Sequence, residues 1–173
     1  MELVIKHYFT VELKGVFLSS QKLFTMIKVG VIGSGSMGSG IAQVAATSGH
    51  EVVLFDTNQD ALEKAMNKLL KILARLVEKG RIDASTSAEI FDRITPASNL
   101  NEMQGSGIVI EAIIENLEIK KSVFSQLEEI CGDDCVLATN TSSLSVAAIA
   151  AACKNPNRVI GVHFFNPAPL MPL

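Results

Sequence analysis

Residues 27–38 read IKVGVIGSGSMG and join the apolar run Ile27–Ile32 to the pattern GxGxxG at Gly33, Gly35 and Gly38. Beyond the last glycine, apolar residues recur every fourth position, which predicts a helix with one apolar face. A strand, a glycine turn and a helix in this order are typical of a nucleotide-binding βαβ unit. The first glycine permits the tight turn, the second lets a diphosphate approach the backbone, and the third lets the helix pack on the strand.

An acidic residue follows the second predicted strand, Glu51–Phe55, at Asp56. A carboxylate there accepts hydrogen bonds from the ribose 2′-hydroxyl of adenosine and repels a 2′-phosphate. Thr57 and Asn58 follow it with no arginine nearby, which favours NAD over NADP as cofactor. The alternative is a glycine-rich turn beside an exposed aspartate. The predicted cofactor-binding residues of this region are Gly33, Ser34, Gly35, Ser36, Met37, Gly38 and Asp56.

Apolar runs alternate with helical stripes along the rest of the chain. Runs that are apolar on both faces, separated by helices, indicate a parallel sheet covered on both sides. We therefore predict an α/β fold of the Rossmann type, doubly wound around a mainly parallel sheet. The predicted elements are a long helix through Leu62–Leu76 ending at Gly80, the runs Gly107–Ile114, Cys135–Ala138 and Arg158–Phe164, a helix with Ile119, Val123, Leu127 and Ile130 on one side, and a helix at Ser145–Cys153.

Composition narrows the class of protein. The 173 residues suffice for one domain, and an apolar fraction of 48% excludes a disordered chain. Fifteen basic and 18 acidic residues give a net charge of −3 without long single-sign runs, so no nucleic-acid partner is predicted. No segment approaches the roughly 20 apolar residues of a membrane span. Three cysteines without a CxxC pair predict reduced thiols in a cytoplasmic protein, with no disulfide or metal site.

The first 25 residues have a different texture from the rest. Charged residues interrupt their apolar positions, which makes them a poor secretory signal. We treat residues 1–25 as an N-terminal extension of unclear role and predict that the NAD-binding domain spans residues 26–173. Our hypothesis that the functional chain starts at Met26 predicts that a deletion to this residue keeps nucleotide affinity.

Three further motifs carry a family resemblance: EAIIEN at 111–116, NTSS at 140–143 and GVHFFNP at 161–167. With them, residues 26–173 resemble the NAD-binding domain of 3-hydroxyacyl-CoA dehydrogenases, particularly members that act on 3-hydroxybutyryl-CoA. HFFNP following NTSS at this spacing is far more specific than GxGxxG. The resemblance implies an oxidoreductase that interconverts (S)-3-hydroxyacyl-CoA and 3-oxoacyl-CoA with NAD, in fatty acid β-oxidation or butyrate-type metabolism. It also implies a helical appendage on the Rossmann-type sheet.

The resemblance assigns the catalytic roles to His163, Ser142 and Asn166. It implies that His163 is the base, because an imidazole can take and return the hydroxyl proton of a secondary alcohol near neutral pH. It implies that Ser142 hydrogen-bonds the substrate oxygen and that Asn166 contacts substrate or cofactor. Without the resemblance, each residue also has a structural interpretation. A single histidine more often has a structural role, and Ser142 could be a loop or capping hydroxyl. Asn166 could be a turn residue before Pro167.

Glu115 and Lys120 match family positions that touch NAD, although Lys120 also reads as a solvated charge on a helix face. The resemblance places part of the CoA site on the helical appendage, and Lys79 is the best single candidate for binding the CoA phosphates. The alternative is a solvated basic face. The basic residues that share this stripe are Lys64, Lys68, Lys71, Arg75 and Lys79.

The resemblance also implies a glutamate twelve residues beyond His163, outside the 173-residue sequence, and a C-terminal helical domain that is absent from it. In the family that glutamate orients the histidine, and that domain forms the dimer. We therefore expect the chain to bind NAD but to be poorly active alone. The alternatives are a non-catalytic, stand-alone NAD-binding module and a related hydroxyacid dehydrogenase.

Overall fold

A computed structural model describes residues 26–169, so the predicted N-terminal extension, residues 1–25, lies outside the described residues. Within this range the chain forms six strands and five α-helices, none of them long and apolar enough to cross a bilayer. The strands are β1 Lys28–Ile32, β2 Glu51–Phe55, β3 Ile94–Ala97, β4 Ile108–Glu111, β5 Val136–Thr139 and β6 Val159–Gly161. The helices are α1 Ser36–Thr47, α2 Gln59–Glu78, α3 Ala84–Asp92, α4 Leu117–Ile130 and α5 Val146–Ala150.

The six strands form one sheet in the order β3-β2-β1-β4-β5-β6, and all five pairings are parallel. This order confirms the predicted doubly wound, Rossmann-type fold. The direction of winding reverses between β1 and β4. In such sheets a crevice opens at the carboxyl ends of the strands at this reversal, where ligands bind.

Two apolar cores cover the faces of the sheet. In β2, Val52 and Leu54 join the core that contains residues of α1, α2 and α3. Val53 and Phe55 point the other way, into the core that contains residues of α4 and α5. Burial on both faces explains why the strands read as unbroken apolar runs rather than as alternating patterns.

Helix α3 and strand β3 were not predicted from the sequence. Only Ile90 of α3 is fully buried, so the helix shows no clear apolar stripe. Strand β3 reads ITPA and lies at the sheet edge, where Thr95 and Pro96 are exposed. Short edge elements with polar residues and proline carry little of the hydrophobic signal on which sequence prediction relies. Helices α2 and α3 together form the predicted helical appendage.

The buried face of α4 differs from the predicted one. The residues of α4 that are fully buried are Lys120, Phe124 and Leu127, whereas Ile119 is 42% exposed. Val123 and Ile130 pack only partly against the core. The face is rotated because the Lys120 ammonium enters the interior to meet the Glu111 carboxylate.

Phe124 tests how far the core beneath α4 depends on a single side chain. It is 0% exposed, so Phe124→Ala removes a whole ring from a packed interior. We expect the free energy of unfolding to fall by about 3–5 kcal/mol, measured by urea denaturation. The exposed neighbour Ser122→Ala is the matched control, and its stability is expected to stay within about 0.5 kcal/mol of the original. Equal stability of the two variants would contradict this packing.

The three cysteines are all buried and none of them is paired in a disulfide. All three lie in the core under α4 and α5. Burial raises the pKa of the Cys153 thiol. A buried thiol whose pKa is raised is less reactive, because the thiolate is the nucleophile.

Candidate active site

Four loops meet at the carboxyl edge of the sheet. They follow β1, β4, β5 and β6, and the last three contain the motifs EAIIEN, NTSS and HFFNP. The strand register aligns Ile32 with Glu111, Glu111 with Thr139, and Thr139 with Gly161. The fold therefore brings the glycine turn and all three motifs to one edge, beside the winding reversal.

The glycine turn depends on two glycines that tolerate no side chain. Gly33 has a φ of +99°, and its N–H donates to the Phe55 carbonyl at 2.7 Å. A Cβ added to Gly33 would lie 2.6 Å from the Ala112 carbonyl oxygen. A Cβ added to Gly38 would lie 1.8 Å from the Gly33 carbonyl oxygen. These contacts give the first and third glycines of the motif the roles predicted for them.

Gly35, the second glycine of the motif, borders open space on the side where a side chain would lie. Apart from its chain neighbours and the backbone of its own helix, nothing in residues 26–169 lies within 4 Å of a Cβ added to Gly35. Gly35 is the N-cap of α1, where no side chain caps the helix and no acidic residue occupies the first turn. The first N–H groups of a helix have no partner within the helix and favour an anion. The turn therefore fits a diphosphate group that approaches the backbone at Gly35.

Asp56 is tied to the glycine turn. One carboxylate oxygen accepts hydrogen bonds from the Ser34 N–H at 2.7 Å and the Ser34 hydroxyl at 2.8 Å. The other accepts the Asn58 N–H at 2.9 Å. Partial burial raises the pKa of Asp56, but these hydrogen bonds outweigh it and leave the pKa below its ordinary value. Asp56 is thus a fixed anion next to the turn, as a ribose-binding carboxylate requires.

The lowered pKa of Asp56 predicts a pH-dependent contribution to stability. The native carboxyl titrates below its unfolded value of about 3.9, so its stabilising effect is present above about pH 4 and is lost as pH falls through the folded pKa. We expect Asp56→Asn to unfold at lower urea concentration than the original chain at pH 6–7. The gap is expected to narrow below about pH 4. A gap that stays constant or widens on acidification would contradict the assignment, since all other carboxyls titrate alike in both proteins.

The chain beyond β6 returns across the edge to α1. The Asn140 side-chain oxygen accepts the Phe164 N–H at 2.9 Å, which joins the β5 loop to the β6 loop. Phe164 and Ala168 then enter the same core as Ile41 of α1. A Cβ added to Gly40 would lie 3.2 Å from the Ala168 Cβ. The segment from His163 to Pro167 is therefore anchored at both ends and spans from β6 back to α1.

The three residues predicted to be catalytic, His163, Ser142 and Asn166, are exposed at this edge. The His163 ring contacts the Phe165 ring edge-on, with 4.9 Å between centroids and an interplanar angle of 90°. Within residues 26–169, no carboxylate forms a hydrogen bond or ion pair with the His163 ring. The two loops place imidazole, hydroxyl and amide groups where a ligand in the crevice can reach them.

Glu115 and Lys120 lie beside the β5 loop in different environments. The Glu115 side chain is 44% exposed; it accepts the Thr141 hydroxyl at 2.8 Å and the Ser142 N–H at 3.3 Å. The Lys120 side chain is 1% exposed, and its ammonium lies 2.5 Å from a Glu111 oxygen. The interpretation of Lys120 as a solvated charge is therefore wrong. Its contact with NAD stays a prediction.

Two residues of the site region were missed by sequence reasoning. Glu111 is fully buried at the end of β4, and Thr141 organises the β5 loop by accepting the N–H groups of Ser143 and Leu144. A threonine in the loop that follows a strand is a known turn former, and this signal was available. An acidic residue in an apolar run was the available signal for Glu111.

The structure does not bring Lys79 to the glycine turn. Helix α2 begins at Gln59, next to Asp56, and Lys79 is its C-cap. At 1.5 Å per residue, Lys79 lies about 30 Å along the helix axis from Gln59. Lys79 is exposed, and its role in CoA binding stays a prediction.

Comparison with known proteins agrees with this geometry. Residues 28–173 match the family model described as 3-hydroxyacyl-CoA dehydrogenase, NAD binding domain. A 3-hydroxybutyryl-CoA dehydrogenase from Clostridioides difficile is 47% identical over 147 residues, which are 85% of this chain and 52% of that protein. A 3-hydroxyadipyl-CoA dehydrogenase from Escherichia coli K12 is 48% identical over 84% of this chain and 30% of that protein.

Solved structures give the same result. The crystal structure of 3-hydroxybutyryl-CoA dehydrogenase from Escherichia coli K12 superimposes with a TM-score of 0.83 and 46% identity, over 85% of this chain and 31% of that one. The chain thus spans about half or less of the length of the relatives it matches. A family model that covers residues 28–173, together with the glycine turn and sheet order described above, shows that the chain belongs to the 3-hydroxyacyl-CoA dehydrogenase family and carries its NAD-binding domain.

Proposed function

We propose that this chain binds NAD and serves the interconversion of (S)-3-hydroxyacyl-CoA and 3-oxoacyl-CoA. The observation that carries the proposal is the exposed His163 ring at the same sheet edge as the open turn at Gly35. A base at this edge can reach a substrate that lies against a dinucleotide in the crevice. Two relatives are named 3-hydroxybutyryl-CoA dehydrogenase and 3-hydroxyadipyl-CoA dehydrogenase. These names support an acyl-CoA substrate for this chain.

The cofactor cradle is assigned to the glycine turn and its neighbours. The diphosphate lies on the N–H groups at the start of α1, and Asp56 accepts an adenosine ribose hydroxyl. One lone pair of the Asp56 carboxylate stays free for this, because the oxygen that accepts the Asn58 N–H accepts no second hydrogen bond from the described residues. The partly exposed Glu115 carboxylate is assigned to the other half of the cofactor, together with Lys120, whose buried ammonium lies 3.7 Å from it. The residues proposed to hold NAD are Gly33, Ser34, Gly35, Ser36, Met37, Gly38, Asp56, Glu115 and Lys120.

The proposed chemistry divides between the cofactor and this chain's side chains. NAD, when bound, supplies the hydride acceptor. His163 takes the hydroxyl proton of the substrate as the carbon–oxygen double bond forms, and returns it in the reverse direction. Ser142 and Asn166 hydrogen-bond the substrate oxygen and hold it next to the imidazole. Lys79, on the exposed basic stripe of α2, attracts the CoA phosphates.

We propose that the chain alone turns over slowly. A carboxylate against the second imidazole nitrogen fixes the ring and stabilises the imidazolium, and none contacts His163 among residues 26–169. By the family resemblance we propose that dimers form through a C-terminal helical domain, and we expect faster turnover when the 173-residue chain is combined with such a domain. The unbridged cysteines support a reducing compartment, the cytoplasm.

Two measurements on the 173-residue chain test this function. NADH is expected to bind, with NADPH binding at least about tenfold more weakly because Asp56 repels the 2′-phosphate. NADH oxidation that depends on acetoacetyl-CoA is expected to be slow but measurable in single-turnover experiments with excess chain. Binding of NADH without any such oxidation favours the stand-alone module. Oxidation that proceeds with 3-oxo acids but not with their CoA esters favours a related hydroxyacid dehydrogenase.

A further inference from the structure

A buried carboxylate lies directly beneath the loops of the proposed site. Glu111 ends β4, and the register places it between Ile32 of β1 and Thr139 of β5. Its side chain is 0% exposed. None of the roles assigned above uses it, although it lies at the winding reversal where the cofactor is proposed to bind.

Three groups satisfy the Glu111 carboxylate. One oxygen lies 2.5 Å from the Lys120 ammonium and accepts the Ile113 N–H at 2.8 Å. The other accepts the Thr139 hydroxyl at 2.8 Å. Glu111 therefore ties together β4, β5 and α4, the elements that carry the EAIIEN and NTSS motifs.

Two chains of contacts lead from Glu111 to the loop that contains Ser142. Along the first, the Thr139 hydroxyl, which donates to Glu111, accepts the Thr141 N–H at 3.3 Å. Along the second, Lys120 lies 3.7 Å from Glu115, and the Glu115 carboxylate accepts the Thr141 hydroxyl and the Ser142 N–H. The backbone on both sides of Thr141 is thus held by groups that rest on one buried carboxylate.

Stability alone is a weak reason for this arrangement. The desolvation of a buried ion pair offsets much of its attraction, and apolar replacements are often as stable. A fully satisfied polar network does fix one geometry, because any displacement leaves a buried charge without partners. The part of the chain whose geometry this network fixes is the loop that contains Ser142, where the network ends.

We propose that Glu111 is a positioning residue that sets the β5 loop for the nicotinamide half of the cofactor. This inference rests on the proposed NAD binding. Asp56 and the glycine turn lie on the β2 side of β1, so the adenosine half and the diphosphate are held there. The other half then crosses to the β4 and β5 side, above Glu111. Loss of the Glu111 charge disturbs only this second half.

The test compares two ligands on the Glu111→Gln variant of the full chain. NADH reaches both halves of the crevice, whereas ADP reaches only the adenosine and diphosphate half. Calorimetric titration is expected to show NADH affinity weakened about tenfold and ADP affinity unchanged within about twofold. The control Glu118→Gln removes an exposed carboxylate that pairs with Lys121 on helix α4, the helix that also holds Lys120. This variant is expected to leave the affinities for NADH and ADP unchanged.

The outcomes separate this inference from the proposed function. If the original chain does not bind NADH, the proposed function fails. If the original chain binds NADH, two results would overturn the positioning role. Glu111→Gln could weaken the affinities for NADH and ADP equally, or it could leave both affinities unchanged. Thr139→Val removes the hydroxyl that joins Glu111 to Thr141 while keeping the ion pair. If Glu111→Gln does not fold, this variant gives the same comparison with the same expected selectivity.

Discussion

Replacing Gly38 with alanine is expected to weaken NADH binding severely and to destabilise the fold. The new Cβ would lie 1.8 Å from the Gly33 carbonyl oxygen and 2.8 Å from its carbonyl carbon. Both are backbone atoms of a turn that hydrogen-bonds to Phe55, so helix α1 must move away from the turn. We expect a dissociation constant for NADH at least about a hundredfold higher, because the N–H groups aimed at the diphosphate move with the helix.

The same variant is expected to lose about 2–3 kcal/mol of unfolding free energy, measured by urea denaturation. Gly35→Ala is the matched control, since among the described residues its Cβ meets no atom within 4 Å beyond its own local backbone and its φ of −61° suits alanine. It is expected to keep the stability of the original chain while its NADH affinity falls, because the methyl group occupies the approach to the backbone. A Gly38→Ala protein that binds NADH normally would contradict the proposed role of the turn.

Replacing His163 with glutamine is expected to remove the slow turnover that the chain supports. Glutamine keeps a polar side chain but is not a base near neutral pH, and loss of a general base costs about 10²–10⁴-fold in rate. The measurement is single-turnover oxidation of NADH with acetoacetyl-CoA. The NADH dissociation constant and the stability are expected to stay unchanged, because His163 is exposed and belongs to neither core.

Phe165→Leu is the control for this experiment. It removes the ring that contacts His163 at 4.9 Å but leaves the base, so we expect a loss of about tenfold or less. If His163→Gln turns over as fast as the original chain, another group is the base. A large loss of NADH affinity in the same variant would assign His163 to binding instead.

Much of the fold was predictable because its central strands carry an unambiguous signal. Residues 28–32 and 51–55 are short apolar runs that end at a glycine turn and at Asp56, and both form strands within one residue of the predicted bounds. The peripheral elements were harder. Strand β3 contains Pro96 and exposed positions, and the run Gly107–Ile114 forms a strand only over Ile108–Glu111, because the chain then turns into the site loop.

The site was predictable in its motifs but not in its supporting contacts. Gly33 and Gly38 have the close contacts that the motif predicts. The burial of Lys120 was not predictable from its spacing, since a lysine on a helix is usually solvated. Its position follows from Glu111, a residue on another element that only the folded chain brings within 2.5 Å.

A crystal structure of the 173-residue chain with NAD bound tests the central claim most directly. We expect the adenosine ribose on Asp56, the diphosphate over Gly35, and the nicotinamide on the β4 and β5 side, facing Ser142 and His163. A dinucleotide bound elsewhere on the chain, or one whose nicotinamide faces away from His163, would contradict it.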